Sequence, residues 1–244
     1  MNSYNKYKVL SCFLFFFLVS FNSYASVVMT GTRIIYNSES RSVDVNLKNT
    51  SNFPYVVQTW FDNGKMTDGP DTSVRVPFIA TPPVFRIQPS AGQVVKVVYT
   101  DALKLPQDRE SVFYFNFLQV PPSNIDNSSS KNKMLIMLRN RVKIFYRPSS
   151  LSLGPSKKFP DIIVSKTPGN ISAVTINNNS PFYVTIGSVM IREGKRSVTT
   201  PSGMIDPFGK STFIFPESIS INGKKVIVTI VNDQGARLNA EYNL

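Results

Sequence analysis

Turn-forming residues punctuate this chain at roughly ten-residue intervals from Ser26 onward, and between them apolar residues alternate with polar ones. Residues 42–48 set Val43, Val45 and Leu47 on one side and Asp44, Asn46 and Lys48 on the other. That is the period of a strand with one buried face. The same rhythm runs through 27–36, 55–61, 78–81, 84–87, 93–99 and 111–120. It resumes over 162–166, 171–177, 183–192, 211–215 and 225–231. No convincing amphipathic helix interrupts it. Short strands at this spacing close into all-β sandwiches. Pro82 and Pro83 cannot donate to a ladder, so they mark a turn or a sheet edge.

Residues 1–25 read as an export leader, with Lys6 and Lys8 ahead of the apolar run 9–21 and a small-residue cut site at Ser23-Tyr24-Ala25. The run falls short of the ~20 residues that a membrane-spanning helix needs, so a soluble, exported chain is expected, not a membrane-embedded one. Cys12, the one cysteine, lies in that leader. The remainder then folds without disulfides, on cores large enough to do so. Its length suits two domains of about 100 residues each. Their expected bounds are 26–148 and 156–244, with 149–155, rich in Ser and Leu ahead of Gly154-Pro155, as the hinge.

The chain has 27 Lys and Arg against 15 Asp and Glu, a net charge of +12, and no histidine. Absent histidine and, after the leader, absent cysteine remove the usual nucleophilic and metal-binding sets. No enzyme activity, metal or cofactor is expected. Nucleic acid is not expected either, because no arginine-rich or other nucleic-acid motif accompanies the charge. An acidic protein surface or a carboxylate suits it better.

One stretch stands out: residues 131–148, KNKMLIMLRNRVKIFYRP. Its even positions from Met134 to Tyr146 form an apolar face broken only by Asn140. The odd positions begin apolar with Leu135 and Met137, then turn basic with Arg139, Arg141 and Lys143. Such a strand is either deep in a sheet or an edge awaiting a partner.

Taken together, the motifs resemble the periplasmic pilus-assembly (fimbrial) chaperones of the chaperone–usher family. The carrying residues are Thr32-Arg33, IATPPVFR at 79–86, LPQDRES at 105–111 running into FYFN at 113–116, and Val120-Pro121-Pro122. KIFYRP at 143–148, NNSPFYV at 178–184 and NDQG at 232–235 complete the ordered set.

The resemblance implies two immunoglobulin-like β-sandwich domains in an L, or boomerang, arrangement with a cleft between them. It implies that Arg33 and Lys143 hold the C-terminal carboxylate of a pilin subunit. Counting back from Lys143, it implies that Met134, Ile136 and Leu138 fill a groove in that subunit as a donated strand; alternation alone leaves both parities open. Glu110, Arg147 and Asp233 are implied as a structural ionic cluster locking the domains. The partners implied are pilin or adhesin subunits and an outer-membrane usher, in the Gram-negative periplasm. Loop 121–133 and the cysteine-free mature chain match the family's short-loop group. Whether the free chain dimerises to cover its own edge stays open. The competing reading is a pilin or adhesin subunit of a surface fimbria, which should be one domain with an N-terminal extension.

Overall fold

The computed structural model describes residues 26–66, 69–70, 74–123, 135–151, 161–194, 196–216 and 219–244. The expected leader, Met134, most of loop 121–133 and most of the expected hinge lie outside these residues. Among the described residues the secondary structure is entirely β. The first half contains β1 (Val27–Met29), β2 (Arg33–Asn37), β3 (Val43–Asn49), β4 (Tyr55–Asp62), β5 (Phe78–Thr81), β6 (Val84–Ile87), β7 (Gly92–Tyr99), β8 (Ser111–Val120) and β9 (Leu138–Arg147). The second contains β10 (Ile162–Thr167), β11 (Asn170–Asn178), β12 (Val184–Glu193), β13 (Arg196–Thr199), β14 (Gly203–Ile205), β15 (Lys210–Ile214), β16 (Lys225–Val231) and β17 (Arg237–Asn243).

Each half is an immunoglobulin-like β sandwich. In the first, a sheet ordered β1-β3-β7-β5 faces one ordered β2-β9-β8-β4-β6. In the second, β10-β11-β15 faces β13-β12-β16-β17, with β14 also paired to β12. Inward residues of the two N-terminal sheets, among them Val45, Leu47, Val57, Val95, Phe115 and Ile144, form one continuous core. Ile176, Ile186, Val189, Ile205, Val226 and Val228 centre a second. Each fully buried side chain of this kind contributes roughly 1.5–3 kcal/mol.

Two places in the first domain depart from a simple strand count. The segment 27–36 is not one strand: β1 joins the four-stranded sheet and β2 the five-stranded one. Between them Gly31 takes φ +94°, a left-handed conformation that favours glycine and lets the chain cross the sandwich. Pro82-Pro83 does the same work at the opposite side. They connect β5, an edge of one sheet, to β6, an edge of the other, where missing N–H groups cost no ladder bond.

A buried glutamine closes the sandwich at its first strand. Gln119, fully buried on β8, accepts from Val27 N at 2.7 Å and donates to Val27 O at 2.8 Å. The side-chain amide thus takes the place of a neighbouring strand for β1.

Candidate functional site

β2 and β9 run parallel, pairing Arg33 with Lys143, Ile34 with Ile144 and Tyr36 with Tyr146. Ile34, Tyr36, Ile144 and Tyr146 are buried in the N-terminal core, so Arg33 and Lys143 share the outer face. That face meets the C-terminal domain. Nη1 of Arg33 donates to the carbonyl oxygen of Val231 at 3.0 Å, and its guanidinium carbon lies 5.8 Å from the Phe145 ring centre. Nε of Arg33 is buried and without a hydrogen-bond partner.

Both cations are partly withdrawn from water. Burial lowers the Lys143 pKa from 10.5, and the nearby charges of Arg33 and Arg141 lower it further. Burial also lowers that of Arg33, against the opposing pull of Asp233 and Glu110. Lys143 has no ion pair among the described residues. Two adjacent, desolvated cations with donors to spare favour an anion with two oxygens.

Beside them stands the ionic cluster that joins the domains. Arg147, at the end of β9, donates from Nε to Glu110 Oε1 at 2.7 Å. Its terminal nitrogens donate to Asp233 at 2.9 and 3.1 Å. The second oxygen of Glu110 accepts from Tyr183 N at 2.8 Å, and Glu110 N donates to Pro181 O at 2.9 Å. Phe182 lies against the Arg147 guanidinium and Phe145 against Tyr183. Burial raises the Glu110 pKa despite Arg147. A cluster this desolvated fixes orientation more than it adds net stability.

Leu138 opens β9 at its other end and Ile136 lies two residues before it, 48% and 64% exposed. Leu135 and Met137 are exposed as well, at 47% and 53%, so exposure does not choose between the two parities. Regular strand begins at Leu138. The third expected groove-filling residue, Met134, is outside the described residues. β8 pairs with β9 along its length up to Gln119 opposite Leu138. β2 pairs with it only from Lys143 onward. Between Leu138 and Val142 the β2-side edge of β9 is therefore open among the described strands.

Asp62 and Arg141 form a further ion pair on this sheet, which neither local sequence announces. Asp62 closes β4 and is 1% exposed, one residue past the strand 55–61 that the alternation marks. Arg141 donates to it from Nε at 2.9 Å and from Nη2. Asn116 and the Gly64 amide donate to it at 2.7 and 2.8 Å. These donors hold its pKa below 3.8, against the opposing effect of burial. The available signal was its place at the end of an apolar run, Tyr55 to Phe61. Among the described residues no group of three or more His, Cys, Asp or Glu could hold a metal. No helix there is long and apolar enough to cross a membrane.

Residues 26–152 match the family described as "Pili and flagellar-assembly chaperone, PapD N-terminal domain", and 159–242 match "Pili assembly chaperone PapD, C-terminal domain". The probable fimbrial chaperone YadV of Escherichia coli (strain K12) is 35% identical, over 98% of this chain and 98% of its own. The chaperone protein HifB of Haemophilus influenzae is 35% identical, over 90% of this chain and 88% of its own. The crystal structure of the YadV chaperone superposes with a TM-score of 0.75 at 34% identity, covering 90% of this chain and all (100%) of the other. With both domains matched, the chain belongs to the pilus-assembly chaperone family, a non-enzymatic class, rather than among pilin or adhesin subunits.

Proposed function

We propose that this chaperone holds pilin subunits by lending them the open edge of β9 and gripping their C-terminal carboxylate with Arg33 and Lys143. The observation that carries this reading is the place where the two features meet. The open edge stops where β2 begins, and there the two desolvated cations stand. A guest strand ending in that corner must lie back along β9, its chain running parallel to it. The guest gains a ladder of main-chain hydrogen bonds, the mode for which chaperone–pilin pairs are the usual example. Charge-assisted bonds to the carboxylate add about 1.5–3 kcal/mol each. The exposed side chains of Ile136 and Leu138, together with Met134 by sequence spacing, fill the subunit's groove.

Glu110, Arg147 and Asp233 act in this reading as the lock that holds the second domain against Arg33. The work is done in the periplasm of a Gram-negative cell, after removal of residues 1–25. As in the family, the loaded chaperone passes its subunit to an outer-membrane usher, and the loop before β9 is of the short kind.

The test is co-purification of a pilin subunit from periplasm. Arg33→Ala and Lys143→Ala chains should lose the subunit while keeping the circular dichroism of the folded protein. If both still retain it, the carboxylate anchor is wrong. Ile136→Asp should also abolish binding, because it puts a charge into an apolar groove. Retention there would reassign the donated face.

A further inference from the structure

The open stretch of β9 carries a cation of its own before the corner is reached. Val142 and Ile144 turn toward the core, so Arg141 and Lys143 share the outer face, two residues apart. Arg141 belongs to the part of β9 that β2 leaves unpaired, yet its charged group is not at that edge. The guanidinium carbon lies 3.5 Å from the centre of the Tyr114 ring, so the side chain runs across β8, the opposite way. On β4, the strand beyond β8, Asp62 accepts from Arg141 Nε at 2.9 Å and from Nη2. Asp62 is 1% exposed. Its two oxygens are also held by Asn116 Nδ2 at 2.7 Å and by the Gly64 amide at 2.8 Å. A fixed, buried carboxylate therefore draws Arg141 away from the edge.

We infer that Asp62 is a positioning residue for the guest strand: by drawing Arg141 across β8 it withdraws a competing anchor and leaves Lys143, beside Arg33, as the single station for the guest carboxylate. This rests on the reading that a guest lies along the open edge of β9 with its carboxylate in that corner. Among the described residues, no strand pairs with that edge between Leu138 and Val142, so the backbone there lets a guest end two residues early. A released Arg141 would meet such a guest. Arginine grips a carboxylate through two parallel bonds, and its side chain is long enough to reach a strand about 4.8 Å away. With both its Nε and Nη2 already given to Asp62, Arg141 has its carboxylate-matching edge occupied from within the chain. The guest carboxylate then finds two free cations only at the corner.

The experiment measures where a guest stops. Cys12 is the one cysteine, so a chain lacking residues 1–25 takes a single nitroxide at Ser149→Cys, exposed just past the end of β9. The probe is a short peptide of alternating Val and Thr with a nitroxide at its N-terminus and a free C-terminal carboxylate, together with an amidated copy. Pulsed electron paramagnetic resonance should give one label-to-label distance in the parent chain. Asp62→Ala and Asp62→Ser, each checked for fold by circular dichroism, should add a second distance about 7 Å longer. Adding Arg141→Gln to either should restore the single distance, which a merely structural role for Asp62 would not do. In the parent chain the acid should bind about tenfold more tightly than the amide, or better. A single unshifted distance in both Asp62 variants while the acid still outbinds the amide overturns the inference. So does a second distance that persists without Arg141, or loss of the fold in both variants. An acid that binds the parent chain no better than its amide overturns the carboxylate reading, and this inference with it.

Discussion

Arg33 and Lys143 are direct neighbours across the one parallel pairing among the described strands. Like charges opposite one another destabilise a sheet, and burial adds to that cost. The free chain thus carries a local electrostatic penalty that the proposed carboxylate would relieve.

That relationship sets a pH dependence. The Lys143 pKa lies below 10.5 in the free chain, through burial first and the two arginines second. A carboxylate at the ammonium raises it, so binding is linked to proton uptake. Affinity for a carboxylate-ended peptide should be full below the free-chain pKa and fall as pH rises through it toward 10.5. Lys143→Arg should remove the decline, because the guanidinium stays charged there. Calorimetric titration from neutral into alkaline pH measures both; a flat profile for the parent chain contradicts the linkage.

The lock between domains should be measurable in unfolding. Asp233→Ala leaves Arg147 with Glu110 alone and removes two charge-assisted bonds. A loss of about 1–3 kcal/mol is expected, with the urea transition separating into two steps as the domains undock. An unchanged, single transition would place the docking energy in the Tyr183 and Pro181 backbone contacts instead.

Gln119 offers a test inside the first domain. Gln119→Leu has similar bulk but leaves the N–H and C=O of Val27 buried without partners. Each orphaned group costs about 1–3 kcal/mol, so the chain should lose roughly 2–6 kcal/mol of stability by urea denaturation. A loss below 1 kcal/mol would mean that β1 finds other partners.

Gly235 joins a strained turn to a close contact between domains. It has φ +83°, and a Cβ there would stand 2.5 Å from Thr32 Oγ1. Gly235→Ala should cost more than the ~1–2 kcal/mol of the left-handed conformation alone. Adding Thr32→Ala should recover the excess but not the conformational part. Strict additivity in that double-mutant cycle would rule out the contact.

Alternation exposed most of the strands because a half-buried strand writes its period into adjacent residues. It failed where the controlling event is nonlocal. Val27 and Tyr36 fit one strand equally well, and only Gly31 hints that the chain changes sheets between them. β17 pairs fully with β16, but its alternation of Arg237, Asn239, Glu241 and Asn243 with Leu238, Ala240 and Tyr242 is too polar to stand out. The short strands β13 and β14 carry too few residues to show a period. For the site, motif resemblance named Arg33, Lys143, Glu110, Arg147 and Asp233, and the fold brings these into two adjacent clusters. Asp62 and Arg141 are 79 residues apart, and nothing in either neighbourhood announces the other.

The start of β2 has one more consequence for any guest. For a guest strand laid along the open edge as proposed, β2 fills the lane from Lys143 onward and would stop it there, so the guest would be measured from its last atom backward. One residue added to its C-terminus would set the whole strand back by one position and turn every apolar side chain to the wrong face. Two added residues would keep the faces but misplace each side chain by about 7 Å. On the proposed reading the corner is the zero mark of a ruler, and a single-residue tag should disable a subunit more thoroughly than a two-residue one.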